Sequence, residues 1–230
     1  MNQLEDLESQ IQAIETELES APDNASLWME KGVGLYLCGR YESSLTALNR
    51  ARELDPDRPV ILYNLGNTLT ELDRLEEATD IYLQVLDYKP DHIPSMNNLA
   101  DIQEQLGEQN RAHELFHYLT QLAPDDPITH FNLGNFFLRQ DQPIEACKCY
   151  QVAIDLDPQF GDAWFTIGWV LHRSGAIQQS EEYLVKGLEM SPDHEEMQSL
   201  LDTVREHLEK EPAPGHAGCS CNEPTGPENR

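Results

Sequence analysis

The stretches LDPD at residues 54–57 and LDPQ at residues 156–159 decide the fold, because they belong to one recurring set. The other members are APDN (21–24), YKPD (88–91), LAPDD (122–126) and MSPD (190–193). Their prolines, Pro22, Pro56, Pro90, Pro124, Pro158 and Pro192, stand 34 residues apart at every step. A fixed period of that size predicts a solenoid whose repeating unit is a helix pair that cannot bury its apolar face alone. Counting each unit from three residues after a proline gives 25–58, 59–92, 93–126, 127–160 and 161–194. Residues 1–24 and 195–211 remain as flanking helices and 212–230 as a tail.

Inside this frame the side chains repeat by size. The eighth place is small in every unit, with Gly32, Gly66, Ala100, Gly134 and Gly168. The twentieth is small as well, with Ser44, Ala78, Ala112, Ala146 and Ser180. The twenty-fourth is large, with Leu48, Tyr82, Phe116, Tyr150 and Leu184. Small facing large is what two helices packed ridge into groove require. The seventh place, Lys31, Leu65, Leu99, Leu133 and Ile167, forms a stripe at helical spacing with the eighth and eleventh. Gly39, Asp73, Gly107, Asp141 and Gly175 stand between the two helices of each unit, where a left-handed backbone is expected.

With these residues placed, the chain resembles the tetratricopeptide repeat family over residues 25–194, including Trp28 and Trp164 near unit starts and the closing prolines. The resemblance implies an all-α fold, a right-handed superhelical solenoid of antiparallel helix pairs. Three places depart from the pattern: Lys31 where leucine is usual, Gln103 in an apolar place, and Gly187 where alanine is expected. The flanking helices each carry one apolar face, Leu4, Leu7, Ile11, Ile14 and Leu18 in the first, and Met197, Leu200, Leu201, Val204 and Leu208 in the last. Capping of the array is the expected role of both. A dimerising coiled coil, giving a homodimer, is the sharper reading of the first.

In this family the first helices of the units line a concave groove that holds a peptide. The places implied to face it hold Asn64, Asn67, Asn97, Asn98, Asp101, Asn132 and Asn135, with Tyr63, Phe131, Phe165 and Trp169 beside them and Arg173 at the far end. This is similar to the asparagine-ladder type of groove. Each amide carries an acceptor and two donors, so it can meet both the C=O and the N–H of a peptide backbone. The places of the carboxylate clamp for chaperone tails hold Met29, Val33, Asn64, Pro94 and Asn98, and the cations that clamp needs are missing.

One stretch points elsewhere. HELFH, residues 113–117, is the HExxH pattern of zinc proteases. The frame gives Ala112 and Phe116 the packing roles and turns His113 and His117 outward, and no third ligand follows in YLTQLAPDD. Coincidence is the expected reading.

Fifteen basic against 42 acidic residues leave a formal charge of -27, which repels phosphate backbones and anionic lipid. Neither nucleic acid nor a membrane is an expected partner. Five cysteines without framework spacing and a start lacking a signal-like apolar run suggest a reducing, cytoplasmic setting. The tail, rich in proline and glycine, is expected to be disordered, and its His216, Cys219 and Cys221 offer three metal ligands or a redox pair. Cys38, Cys147 and Cys149 read as packing thiols.

Together these features predict a non-catalytic adaptor, without a cofactor, that binds a protein or peptide segment in its groove. The alternative is a metal- or redox-responsive protein whose tail is active and whose solenoid is a docking platform.

Overall fold

The computed structural model describes residues 3–210, and among them every regular element is an α-helix. They are α1 (Gln3–Ser20), α2 (Ala25–Leu37), α3 (Tyr41–Leu54), α4 (Pro59–Glu71), α5 (Leu75–Tyr88), α6 (Ile93–Gln105), α7 (Gln109–Leu122), α8 (Pro127–Arg139), α9 (Pro143–Leu156), α10 (Gly161–Arg173), α11 (Ile177–Met190) and α12 (Glu195–Lys210). The chain divides between Phe136 and Phe137 into two compact units. In the first, α2 packs on α3, α4 on α5 and α6 on α7; in the second, α10 packs on α11.

The turn within each pair is made by a left-handed residue. Gly39, Asp73, Gly107, Asp141 and Gly175 all have positive φ, from 57° at the aspartates to 82° at Gly175. The chain there closes in a Schellman pattern. Gly39 N–H donates to Tyr36 O at 2.8 Å and Arg40 N–H to Leu35 O at 2.9 Å, which satisfies carbonyls the helix end would leave open.

Small does face large. A Cβ added to Gly32 would sit 2.6 Å from Leu48, one on Gly66 would sit 2.6 Å from the Tyr82 ring, and one on Gly168 would sit 2.5 Å from Leu184. The twentieth place adds a bond that size alone does not announce. Ser44 Oγ donates to Gly32 O at 2.8 Å and Ser180 Oγ to Gly168 O at 2.7 Å, both fully buried. Each serine therefore ties its helix to the glycine carbonyl of its partner and satisfies its own hydroxyl at the same contact.

Three of the prolines that set the period also have bonded carbonyls. Trp28 Nε1 donates to Pro22 O at 2.7 Å, Trp164 Nε1 to Pro158 O at 3.0 Å, and His130 Nε2 lies 3.0 Å from Pro124 O. Three rings at the same place of their units thus hold the preceding turn against the incoming helix.

The departures from the family pattern have local explanations in two cases. Lys31 forms an ion pair with Glu15 of α1 at 2.9 Å and lies 5.3 Å above the Trp28 ring. Gly187 is pressed by Met197 Sδ, 2.5 Å from where a Cβ would stand, and by Trp164 Cβ at 2.7 Å. Gln103 is different: its Oε1 is buried with no partner.

Both flanking helices lie on the array. Ile11 and Leu18 of α1 are buried, and Ile11 packs with Leu35 and Ala47. That contact uses the face a coiled coil would need. On α12, Met197, Leu201 and Val204 are buried in a cluster with Leu184.

Candidate functional site

Helix α4 carries Tyr63, Asn64 and Asn67, and α6 carries Asn97, Asn98 and Asp101. The two helices touch, and the contact brings two amides together. Asn98 Nδ2 donates to Asn67 Oδ1 at 2.9 Å and to Tyr82 Oη at 3.0 Å, while Tyr82 Oη donates to Asn67 Oδ1 at 2.7 Å. The three side chains close a triangle in which Asn67 Oδ1 uses both lone pairs and Asn98 Nδ2 both hydrogens. The Asn67 amide hydrogens and Asn98 Oδ1 are left without a partner among the described residues, and both asparagines are half-buried.

Tyr82 makes this arrangement possible. Its ring lies against Gly66 with the side chain fully buried, and its hydroxyl emerges one residue further along α4, beside Asn67. Burial pushes the phenol up to about 12, so it remains a neutral donor around physiological pH. The size pattern marks Tyr82 as a packing residue; only its hydroxyl, against Leu48 and Leu184 at the same place, hints at the second role.

The other candidates are placed differently. Asn64 is half-buried and gives one Nδ2 hydrogen to Val60 O of its own helix at 2.9 Å. Tyr63 packs edge-on against His92, 5.1 Å between centroids. Asn97, expected to face the groove, is 9% exposed and its Oδ1 is buried without a partner. The reason is its place, the fifth of the unit, where Tyr63, Phe131 and Phe165 stand in other units. Tyr63 and Phe165 pack against the cores of their units there. Asp101, Phe131, Asn132 and Asn135 are each half-buried.

In the second unit Phe165 lies against His194 with centroids 5.5 Å apart, and the Arg173 guanidinium covers the Trp169 ring at 4.8 Å. The exposed cation thus stacks on an aromatic face.

His113 and His117 are exposed, with rings parallel and 6.2 Å apart, and His117 Nε2 lies 3.1 Å from Gln121 Nε2. Among the described residues no group of three or more histidine, cysteine or acidic side chains is arranged to hold a metal ion. Cys147 and Cys149 are half-buried, and burial raises both thiols, Cys149 to about 11, which keeps them protonated and unreactive. The tail residues His216, Cys219 and Cys221 lie outside the described residues. No described helix is long and apolar enough to cross a membrane.

Comparison with known proteins follows the same lines. The family model for the middle TPR-like domain of cilia and flagella-associated protein 70 matches residues 96–211, and two tetratricopeptide repeat models match residues 34–73 and 60–92. The human protein O-mannosyl-transferase TMTC3 is 25% identical over 208 residues, which cover 82% of this chain and 22% of that protein. The peroxisomal targeting signal receptor of Candida albicans is 25% identical over 85% of this chain and 36% of its own length. The chain thus spans about a fifth to a third of these relatives. Among solved structures, YrrB, described as a TPR protein with an unusual peptide-binding site, superposes with a TM-score of 0.52 at 20% identity, covering 81% of this chain and 96% of YrrB. Period, paired helices and a family model spanning half of the sequence agree that this chain belongs to the tetratricopeptide repeat family.

Proposed function

We propose that the chain is a non-catalytic interaction scaffold that holds an extended segment of a partner protein on the asparagine-bearing face of α4 and α6. The observation that carries this reading is the Asn67–Asn98–Tyr82 triangle. It fixes two amides so that one offers N–H groups and the other an acceptor, the pair of functions a peptide backbone needs. Fixing them in advance lowers the ordering cost of binding. Asn64 and Asn132 extend the set on α4 and α8, and Tyr63 and Phe131 supply apolar surface, which contributes most of the affinity in such interfaces. In the second unit Phe165, Trp169 and Arg173 form a separate aromatic and cationic patch.

Relatives support the same class. The peroxisomal receptor is named for reading a targeting signal, and YrrB for a peptide-binding site. The transferase relatives share only about a fifth of their length with this chain, and their catalysis is not carried over to it. The large negative charge favours a segment with a neutral or basic middle.

The test is a paired capture from host lysate, read by mass spectrometry, with the intact chain and a folded Asn64→Ala, Asn98→Ala, Asn132→Ala variant. A protein retained by the first and lost by the second supports the reading. Identical captures would remove the asparagine face from the binding site.

A further inference from the structure

The last helix, α12, is tied to α10 through imidazole at both ends. His194 stands one residue before α12, and its ring stacks on Phe165 of α10 with centroids 5.5 Å apart. Its Nδ1 accepts the Met197 N–H at 3.2 Å, which satisfies an open donor of the helix start. That leaves the hydrogen on Nε2, which donates to Asp162 Oδ1 in the first turn of α10 at 3.3 Å. Gly161 makes room for the ring: a Cβ there would stand 2.7 Å from His194 Cδ2, and the same place of the other units holds Ala25, Pro59, Ile93 and Pro127. At the far end, His172 in the last turn of α10 meets His207 in the last turn of α12, with Nε2 of the first 2.9 Å from Nδ1 of the second. Between the two ties lie Met197, Leu201 and Val204, buried with Leu184.

We propose that α12 is a proton-sensitive latch, held on α10 from both ends when these histidines are neutral and released from its C-terminal end when His172 and His207 are both protonated.

The two ties answer acid in opposite ways. In the neutral His172–His207 pair one ring donates and the other accepts. One added proton is tolerated, because a charged ring still donates to a neutral neighbour. A second puts an N–H on both facing nitrogens and two like charges across the same 2.9 Å contact, so the rings part. At His194 a proton on Nδ1 displaces the Met197 N–H, but Glu196 Oε2 lies 3.4 Å from that nitrogen and Asp162 Oδ1 3.3 Å from the other. The charged ring exchanges a backbone donor for two carboxylates and stays.

The surrounding charges keep the ends distinct. Arg173 of α10, next to His172 in sequence, is stacked on Trp169. On α12 Glu206 is paired with Lys210 at 3.3 Å, and α11 meets α12 through Glu181 and Arg205 at 3.0 Å. Helix α9, which also packs on α10, brings exposed Glu145 and Lys148 and two groups that burial keeps uncharged, Cys149 and Tyr150. Among the described residues no carboxylate stands within ion-pair distance of His172 or His207 to offset a second charge. The packed pair therefore binds fewer protons in acid than the same histidines apart, and its tie is present at neutral pH and lost as pH falls through the imidazole range. Leu208 packs on the same apolar cluster, so opening the last turns of α12 bares apolar surface.

The test is hydrogen–deuterium exchange of the full chain at about pH 7.5 and about pH 5, corrected for the pH dependence of intrinsic exchange and read on segments 198–203 and 204–210. Acid should lower the protection of 204–210 by about tenfold or more and leave 198–203 unchanged. His172→Gln and His207→Gln, each leaving at most one charge in the pair, should keep 204–210 equally protected at both pH values. Asp162→Asn with Glu196→Gln should let 198–203 open in acid as well. Circular dichroism at neutral pH checks that each variant is folded. The proposal is overturned if 204–210 in the parent chain is unprotected at neutral pH, is protected alike at both, or loosens together with 198–203. It is equally overturned if acid opening survives in either histidine variant, or if 198–203 stays closed in the carboxamide variant.

Discussion

The amides carried by α4 and α6 fall into two sets with opposite outcomes. Asn67 and Asn98 meet the Tyr82 hydroxyl and bond one another. Asn97 and Gln103, displaced into packing places, bury carbonyl oxygens that nothing answers. An amide in a repeat is stabilising or costly according to whether a donor lies within reach, and Asn97 and Asn98 are neighbours in sequence on opposite sides of that line.

The largest expected effect breaks the satisfied side. Tyr82→Ala removes a fully buried ring and the hub of the triangle, and should cost roughly 3–5 kcal/mol in urea unfolding, the range for deleting a buried aromatic. A loss below ~1 kcal/mol would mean that the ring is not a core element. The next sharpens the unsatisfied side. Gln103→Leu removes an orphan acceptor at little change of shape and should stabilise by about 1–2 kcal/mol, read as a higher unfolding midpoint. A destabilised variant would show that Gln103 has a partner in solution.

Tyr82→Phe isolates the hydroxyl from the ring. It should cost about 1 kcal/mol, and Asn98→Ala combined with it should cost little more, because both report the same network. Full additivity would dissolve the triangle into independent bonds.

The smallest effect concerns His92, which caps α6 by accepting from Ser95 N–H at Nδ1 and packs against Tyr63. Burial first, then Lys89, holds this imidazole below its usual value near 6.5. The folded state therefore binds the proton more weakly than the unfolded one. Its contribution to stability is present above that value and lost as pH falls through the depressed one. The drop in Tm between about pH 8 and about pH 5 should be smaller in His92→Gln than in the parent chain. An equal drop would remove the cap from the account.

Much of this fold is written in the sequence, because a repeat states each of its rules several times. Six prolines at one spacing, five left-handed turn residues and the alternation of Gly66 with Tyr82 or Gly168 with Leu184 leave little freedom in the placement of helices. The candidate site was less legible. Tyr82 reads as packing, since periodicity weighs its ring and ignores where the hydroxyl arrives. Asn97 reads as a groove residue because resemblance assigns a face by place number, whereas its burial depends on what the neighbouring helices press against it.

Binding on the asparagine face is tested by calorimetric titration of the captured partner segment into the intact chain, into the Asn64→Ala, Asn98→Ala, Asn132→Ala variant, and into His113→Ala as a control. A loss of about 1 kcal/mol is expected for each hydrogen bond removed, roughly fivefold in Kd apiece, with no change in the control. Equal affinity in the asparagine variant, with its fold intact, would contradict it.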